Sequence, residues 1–537
     1  MSANDTPTID RSPSERADVC VVGAGPAGGL LSHSLAKRGH DVVVLEAGPR
    51  FDLQSRLRRM ERSLRPAHDR SDVWDMGGAR DAFTSSGSVS YPLNTTRVKG
   101  VGGTTLHWIG YTPRLHPKDF EMDSRYGLGV DWPLDYEDVR PYYADVEAEM
   151  GVSGGTDNPF APPREESFPM DAFPPSYSDT LFEEACDELD ITLHSVPQAR
   201  NHESYDGRSG CVGYGTCMPV CPSGAKYSGD VHIRKAESEG ARVLDRVPVQ
   251  RLEHDDAGET VEAAVYATPD GTEHRQEARQ FVIACGAVET PRLLLLSESE
   301  QYPNGLANTS DAVGRYFMEH ALVGMGGRLD QPTKQHRVGF TTSVTHQFYD
   351  HEEPTPGSFF VGLLNYAGPT TVGAALSDGS WGDELASTLA TRVGGYVGTE
   401  ALVEQLPRED SRVTLDTSKT DDHGNPVPDV SWKIGDHAVE TARKALDVQR
   451  DIMDELGATV TYAANPTQPW AGSHPMGTTR MGTDPSESVV DERLRTHDLS
   501  NLSIASSSVF PTGGAMNPTV TIGALSLKAA DHIHADL

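Results

Sequence analysis

The chain is poor in sulfur, in lysine and in long apolar stretches. Only six of its 537 residues are cysteine, which argues against the cysteine-dense disulfide frameworks of short secreted domains. No apolar run approaches the roughly 18 to 20 residues that cross a bilayer, so no transmembrane segment is expected. Basic residues number 46 against 79 acidic ones, for a formal charge of −33, and most of the basic ones are arginine. A surface of that sign repels nucleic acid and anionic lipid, so neither is an expected partner. The acids are spread along the chain, and an acid-rich, lysine-poor surface suits a salty cytoplasm where screening relieves self-repulsion. A halophilic origin is the expectation. The start, MSANDTPTIDRSPSERADVCVVG, has neither a basic stretch followed by an apolar one nor a twin-arginine pair. It is read as carrying no export signal, with residues 1–16 a flexible tail and the cytoplasm the expected location.

The length suggests two or three domains, and 37% hydrophobic with 7% aromatic residues fits a folded globular chain. The plainest motif lies early. DVCVVGAGPAGGLLSHSLAKRGHDVVVLEAG, residues 18–48, reads as strand, helix, strand: Val19–Val22 and Val42–Leu45 are β-branched runs, and Leu30–Lys37 has helical spacing that Gly39 stops. Gly23, Gly25 and Gly28 stand between as G-x-G-x-x-G, with Pro26 and Ala27 inside it. The first glycine permits a tight turn, the second lets backbone approach a pyrophosphate, and the third lets helix and strand pack closely. Glu46 closes the second strand, where a carboxylate can bond ribose hydroxyls. This is a dinucleotide site, and the unit by itself does not distinguish NAD from FAD.

CVGYGTCMPVCP, residues 211–222, concentrates half of the scarce sulfur. Cys211, Cys217 and Cys221 are separated by five and three residues, and Pro222 follows. A disulfide framework is the weakest reading. A zinc site would need a fourth ligand such as His202 or His232. An iron–sulfur cluster also takes thiolates, often on runs ending in Cys-Pro. The spacing alone leaves these open. Cys20, Cys186 and Cys285 sit in apolar strand-like or helix-like runs and read as buried packing residues.

Three further stretches carry a resemblance: RVKGVGGTTLHWIGYTPRL at 97–115, CGAVETPRLLLLS at 285–297, and WAGSHPMGTTRMG with VFPTGGAMNPTVTIGALSLKAAD at 470–482 and 509–531. Together with the amino-terminal unit they resemble the glucose-methanol-choline (GMC) oxidoreductases, FAD-dependent alcohol oxidases and dehydrogenases, over nearly the whole length. The resemblance implies an α/β fold with a Rossmann-like FAD-binding domain from 17–310 completed by 460–537; the insertion at 311–459, richer in turn residues and polar alternation, is expected to form a substrate lobe on an antiparallel sheet. It implies FAD as the cofactor, held also by Gly102, Gly103, Thr104, His107, Val249, Ser507, Pro518 and Thr519.

Alcohol oxidation needs a base for the hydroxyl proton beside the hydride acceptor. His474 matches the family's catalytic histidine and Asn517 its partner. Asn517-Pro518 also looks like the start of a helix running through Ala524, Leu525, Lys528 and Ala529, whose positive end would face the flavin. His107 stands where some relatives attach flavin covalently, so a tether is one hypothesis. Ser506, Ser507 and Ser508 depart from the acid-containing run of many members. A subgroup of bacterial sugar dehydrogenases carries a 3Fe-4S cluster on Cys-x5-Cys-x3-Cys, which Cys211, Cys217 and Cys221 match. That implies a dehydrogenase passing electrons to an external acceptor. Relatives of this kind work with a cytochrome and a small helper subunit that carries the export signal, so export in company is the alternative location. The rival readings are an oxygen-dependent alcohol or pyranose oxidase without a cluster, and a non-redox member of the fold. Which sugar, polyol or other alcohol is oxidised is not legible in the sequence.

Overall fold

In the computed structural model of the protein, residues 10–65, 70–333, 338–354, 356–365 and 371–537 are described. The β-branched runs form the strands expected of them. Strands β1 (Ala17–Val22) and β2 (Val42–Leu45) pair in parallel, with helix α1 (Pro26–Lys37) between them in sequence. Arg242–Leu244 extends the parallel sheet beyond β2. On the other side, the long strand Glu273–Ile283 and then Leu502–Ile504 continue it. Glu273–Ile283 serves two sheets: its second half runs parallel with β1, and its first half is antiparallel to Val261–Ala267, which in turn pairs with Val249–His254. Side chains of β1 and β2 are buried on both faces, as a helix-covered parallel sheet requires. One such cover is α1, which packs against helix Asp230–Ser238 and the carboxyl-terminal helix Thr519–Asp536.

A second sheet is antiparallel, in the order Thr459–Ala463, Ala321–Arg328, Tyr396–Val403, Phe359–Leu363, Ser343–Thr345, His194–Ser195, with Trp470–Ala471 also on Ala321–Arg328. The sheet is therefore not confined to the expected 311–459 insertion. Period-two alternation gives it two faces. Ala321, Val323, Phe359, Val361, Val397, Ala401 and Val403 form a core with helix Asp436–Glu455. Leu322, Gly324, Phe360, Glu400 and Leu402 line a cavity.

Residues 1–9 of the expected flexible tail lie outside the described residues. From residue 10 on, the chain is tied down. Arg11 donates to the Asp245 carbonyl at 2.7 Å and pairs with its carboxylate at 3.0 Å, while the Tyr266 hydroxyl donates to the Arg11 carbonyl at 2.7 Å. Among the described residues no helix is long and apolar enough to cross a membrane.

Candidate active site

The glycine-rich turn is built by close approach. Gly23 has φ +105°, and its N–H donates to the Leu45 carbonyl at 2.8 Å. A Cβ on Gly28 would lie 2.0 Å from the Gly23 carbonyl oxygen, so only glycine lets α1 start this close to the strand. Gly102 N–H bonds the Ala24 carbonyl at 2.8 Å and a Cβ on Gly103 would stand 2.9 Å from Gly25 Cα. The second glycine segment thus lies directly on the first. Glu46 is buried, and its two oxygens accept from Ala24 N–H and Gly48 N–H at 2.8 Å each. Burial raises its carboxyl above the usual range, against those two bonds. A carboxylate can accept about four bonds, so Glu46 holds the turn and can still meet a ligand hydroxyl.

From this turn a cavity of about 1150 Å³ runs toward the antiparallel sheet. Gly23, Gly25, Pro26, Ala27, Glu46, Gly103, Thr104, His107, Val249, Ser507, Pro518 and Thr519 line it, as do His474 and Asn517. Of the sequence-predicted cofactor residues, Gly28 and Gly102 do not; they support the wall from behind. The Ser507 hydroxyl donates to the Pro475 carbonyl at 2.7 Å, and Ser506 and Ser508 share a bond at 2.7 Å. The serine run that replaces an acid is thus engaged both within its own turn and with the segment 475–479 that follows His474. Cys285 is not a strand packing residue: it precedes helix Gly286–Leu296, bonds the Val22 carbonyl through Sγ at 3.2 Å and lines the cavity. Cys20 and Cys186 are buried as expected.

At the sheet end, side chains form a single relay. His320 Nε2 lies 3.4 Å from the Gly513 carbonyl, His320 Nδ1 is 3.0 Å from His474 Nδ1, and His474 Nε2 is 3.0 Å from Asn517 Nδ2. The carbonyl can only accept, so the network places a proton on His320 Nε2. His320 Nδ1 is then an acceptor, and His474 Nδ1 must donate to it. That leaves the lone pair on His474 Nε2, where Asn517 donates. The Asn517 side chain therefore turns to His474 and does not cap the helix that begins at Thr519. Burial, and next the neighbouring His320, hold His474 well below the ordinary histidine value; burial pushes His320 down to about 4.

Sequence reasoning missed His320 and Glu319. Glu319 Oε1 accepts the backbone N–H of His474 at 2.6 Å and of His320 at 2.9 Å, and Tyr91 stands 2.9 Å from Oε2. Burial pushes its carboxyl up to about 8 despite these bonds. The signal was a Glu-His pair just before an apolar strand, Met318-Glu319-His320-Ala321, which looks like any strand start.

Family models cover most of this architecture: a GMC oxidoreductase model matches residues 84–322, a second matches 407–526, and an NAD(P)-binding Rossmann-like model matches 21–62. The fructose dehydrogenase large subunit of Gluconobacter japonicus is 36% identical over 97% of this chain and 98% of its own. The chain belongs to the GMC oxidoreductase family. A 2-methyl-1,2-propanediol dehydrogenase of Mycolicibacterium austroafricanum is 30% identical over 97% of this chain and 95% of its own. In fold, the GMC chain resembles pyridoxine 4-oxidase from Mesorbium loti, with a TM-score of 0.67, 19% identity and coverage of 97% and 99%. It is an FAD-dependent alcohol or sugar oxidoreductase, and the residues fit the cofactor: a glycine turn that admits backbone to a diphosphate, a buried acid at the ribose position, and a cavity that ends at an unprotonated imidazole nitrogen.

The cysteine segment of this GMC chain is separate from the relay. Cys211, Cys217 and Cys221 lie on one loop without helix or strand, Cys217 buried and the other two half-buried. Burial pushes the Cys221 thiol up, but the backbone N–H and the side chain of Lys226, with Ser223, outweigh it and leave the thiol below its usual value, while burial pulls Lys226 itself down to about 7 against the pull of Cys221 and Cys217. Among the described residues, one group of three donors lies within single-ion reach, His33, Glu149 and His232. The Lys235 ammonium already sits 2.8 Å from the Glu149 oxygen that His232 bonds. His232 is thus engaged elsewhere and does not complete a zinc site with the thiols. A single ion draws its donors together, whereas a multi-iron cluster holds its thiolates on separate irons. Among the described residues the three thiols do not form a group within reach of a single ion.

Proposed function

We propose that the protein oxidises a CH–OH group of a sugar, polyol or other alcohol and passes the electrons to an external one-electron acceptor through a 3Fe-4S cluster on Cys211, Cys217 and Cys221. The observation that carries the chemistry is the relay ending at His474 Nε2: once Asn517 turns its amide donor from that nitrogen to the substrate hydroxyl oxygen, the freed lone pair of a neutral imidazole can take the hydroxyl proton. Bound flavin supplies the hydride acceptor and the cluster a one-electron exit. The cysteine spacing, the shared loop and the Lys226 cation support the cluster, as does the likeness to a fructose dehydrogenase large subunit. That name, and the gluconate 2-dehydrogenase flavoprotein of Pantoea cypripedii among the relatives, support a multi-subunit assembly in which a cytochrome and a signal-bearing helper would be partners.

The test is iron and acid-labile sulfide per flavin on anaerobically purified protein, with its low-temperature electron paramagnetic resonance spectrum. About three irons per flavin and an oxidised-cluster signal are expected. Iron-free protein that makes peroxide from alcohol and oxygen would replace this reading by the oxidase. Flavin fluorescence on a denaturing gel decides whether His107, in the cavity wall, is a covalent anchor. The charge of −33 supports a halophilic protein, with a melting temperature that climbs from about 0.1 M to about 2 M KCl as screening relieves repulsion.

A further inference from the structure

Lys226 is 2% exposed, and its side chain meets three backbone carbonyls. Its ammonium donates to Leu106 at 3.4 Å, to Trp108, and to Cys217 at 2.8 Å. Burying an ammonium is costly, and it is tolerated where every N–H has an acceptor. Here the three protons match three oxygens. Two of these belong to the segment that carries His107 into the cavity wall, and the third belongs to the cysteine loop. The residue after Cys217, Met218, itself lines the cavity. The segment 105–108 is latched twice more nearby: Trp108 Nε1 donates to the Tyr227 carbonyl at 2.8 Å, and Gly229 N–H to Thr105 Oγ1 at 2.8 Å. Those bonds reach the chain after the loop, and only the Lys226 ammonium reaches a cysteine.

We propose that Lys226 is a positioning residue that clamps the cysteine loop onto the flavin-facing segment 106–108, setting Cys217 and Met218 against the cavity wall. The proposal rests on the reading that the thiols serve an electron exit, and adds which residue fixes that exit relative to the flavin site. A lysine suits the task because it offers three donors at the end of a long stem; an amide offers two, and a thioether of similar length none. Methionine at this position would fill the volume and leave three buried carbonyls unmet.

The test compares wild type, Lys226→Met and Lys226→Arg as holoenzymes purified anaerobically. Three quantities are read: flavin bleaching by alcohol without acceptor, reduction of ferricyanide at two per alcohol oxidised, and iron with its paramagnetic signal. Lys226→Met is expected to bleach at the wild-type rate while iron retention or ferricyanide reduction falls about tenfold, with Lys226→Arg in between. Wild-type iron, signal and ferricyanide rate in Lys226→Met would overturn the clamp, and so would a parallel loss of bleaching and melting temperature, the mark of a merely structural role. Should wild type hold no iron, the cluster reading fails by itself and the clamp is judged by alkylation. Iodoacetamide labelling of Cys217, followed by mass spectrometry, is then expected to quicken about tenfold in Lys226→Met, and equal labelling overturns it. If Lys226→Met does not accumulate as folded protein, Lys226→Arg carries the same comparison.

Discussion

His474 and Cys221 are both half-buried, yet their surroundings are built in opposite ways. His474 is reached from two parts of the chain: the adjacent Glu319 and His320 just before a strand, Glu319 through the His474 backbone N–H, and Asn517 just before a long helix. Each partner is buried and adjoins a strand or a helix. The cysteine loop has no helix or strand, and Val212 and Tyr214 at its tip are 68% and 54% exposed. Its anchors are single bonds such as Cys211 N–H to Asn201 at 2.9 Å and Trp74 Nε1 to Pro219 at 3.2 Å. The difference follows from the chemistry. Proton transfer needs a donor and acceptor fixed within hydrogen-bond reach before substrate arrives. A thiolate ligand set is completed by the metal it binds, so its loop gains order from the metal.

The sharpest way to break this contrast is to remove each centre and ask which half of turnover stops. His474→Ala should keep flavin and fold, since the relay is not part of the glycine turn, but lose about 10²- to 10⁴-fold in anaerobic bleaching by alcohol. Bleaching near the wild-type rate would take the base role away from His474. Cys221→Ser should do the reverse: bleaching is retained, while iron content and ferricyanide reduction fall about ten- to a hundredfold. Were both halves to fall together in Cys221→Ser, the loop and the relay would be one mechanical unit and the contrast would collapse.

Legibility in the sequence followed the same division. The glycine turn could be read because contacts as short as 2.0 Å from a would-be Cβ leave no choice of residue, and such constraints show as spaced glycines. His474 and Asn517 were legible only because of the residues around them. His320 was not, because a histidine before an apolar run has no pattern of its own and its role depends on a contact 154 residues away in sequence. The antiparallel lobe was expected from turn-rich composition, but two of the strands it borrows from outside 311–459, His194–Ser195 and Trp470–Ala471, are two residues long and too short to carry periodicity.

His320 tests whether the relay sets the tautomer or only packs. His320→Asn keeps a polar side chain but shortens the chain of bonds to Gly513, so His474 Nδ1 loses its fixed acceptor. Bleaching is expected to slow about tenfold, with flavin content unchanged. A wild-type rate would mean that Asn517 alone orients the imidazole.

Glu319 gives the smallest effect on turnover and the clearest effect of pH. Its carboxyl titrates near 8 in the folded protein against an ordinary 4.5, so between these values the folded state holds a proton that the unfolded state has released. Its contribution to stability is therefore full below about 4.5 and drains away as pH rises through about 8, a change on the order of a few kcal/mol. Glu319→Gln presents the same neutral shape to His474 N–H, His320 N–H and Tyr91, so bleaching at pH 7 should be unchanged. Its melting temperature, measured against wild type from about pH 6 to about pH 9, should gain up to about pH 8 and then level off, because in the lower range only the wild type releases a proton on unfolding. Parallel curves would show that Glu319 is already ionised at neutral pH. The carboxylate charge would then sit against the backbone of both histidines, and the relay would be held by an anion instead of a neutral acid.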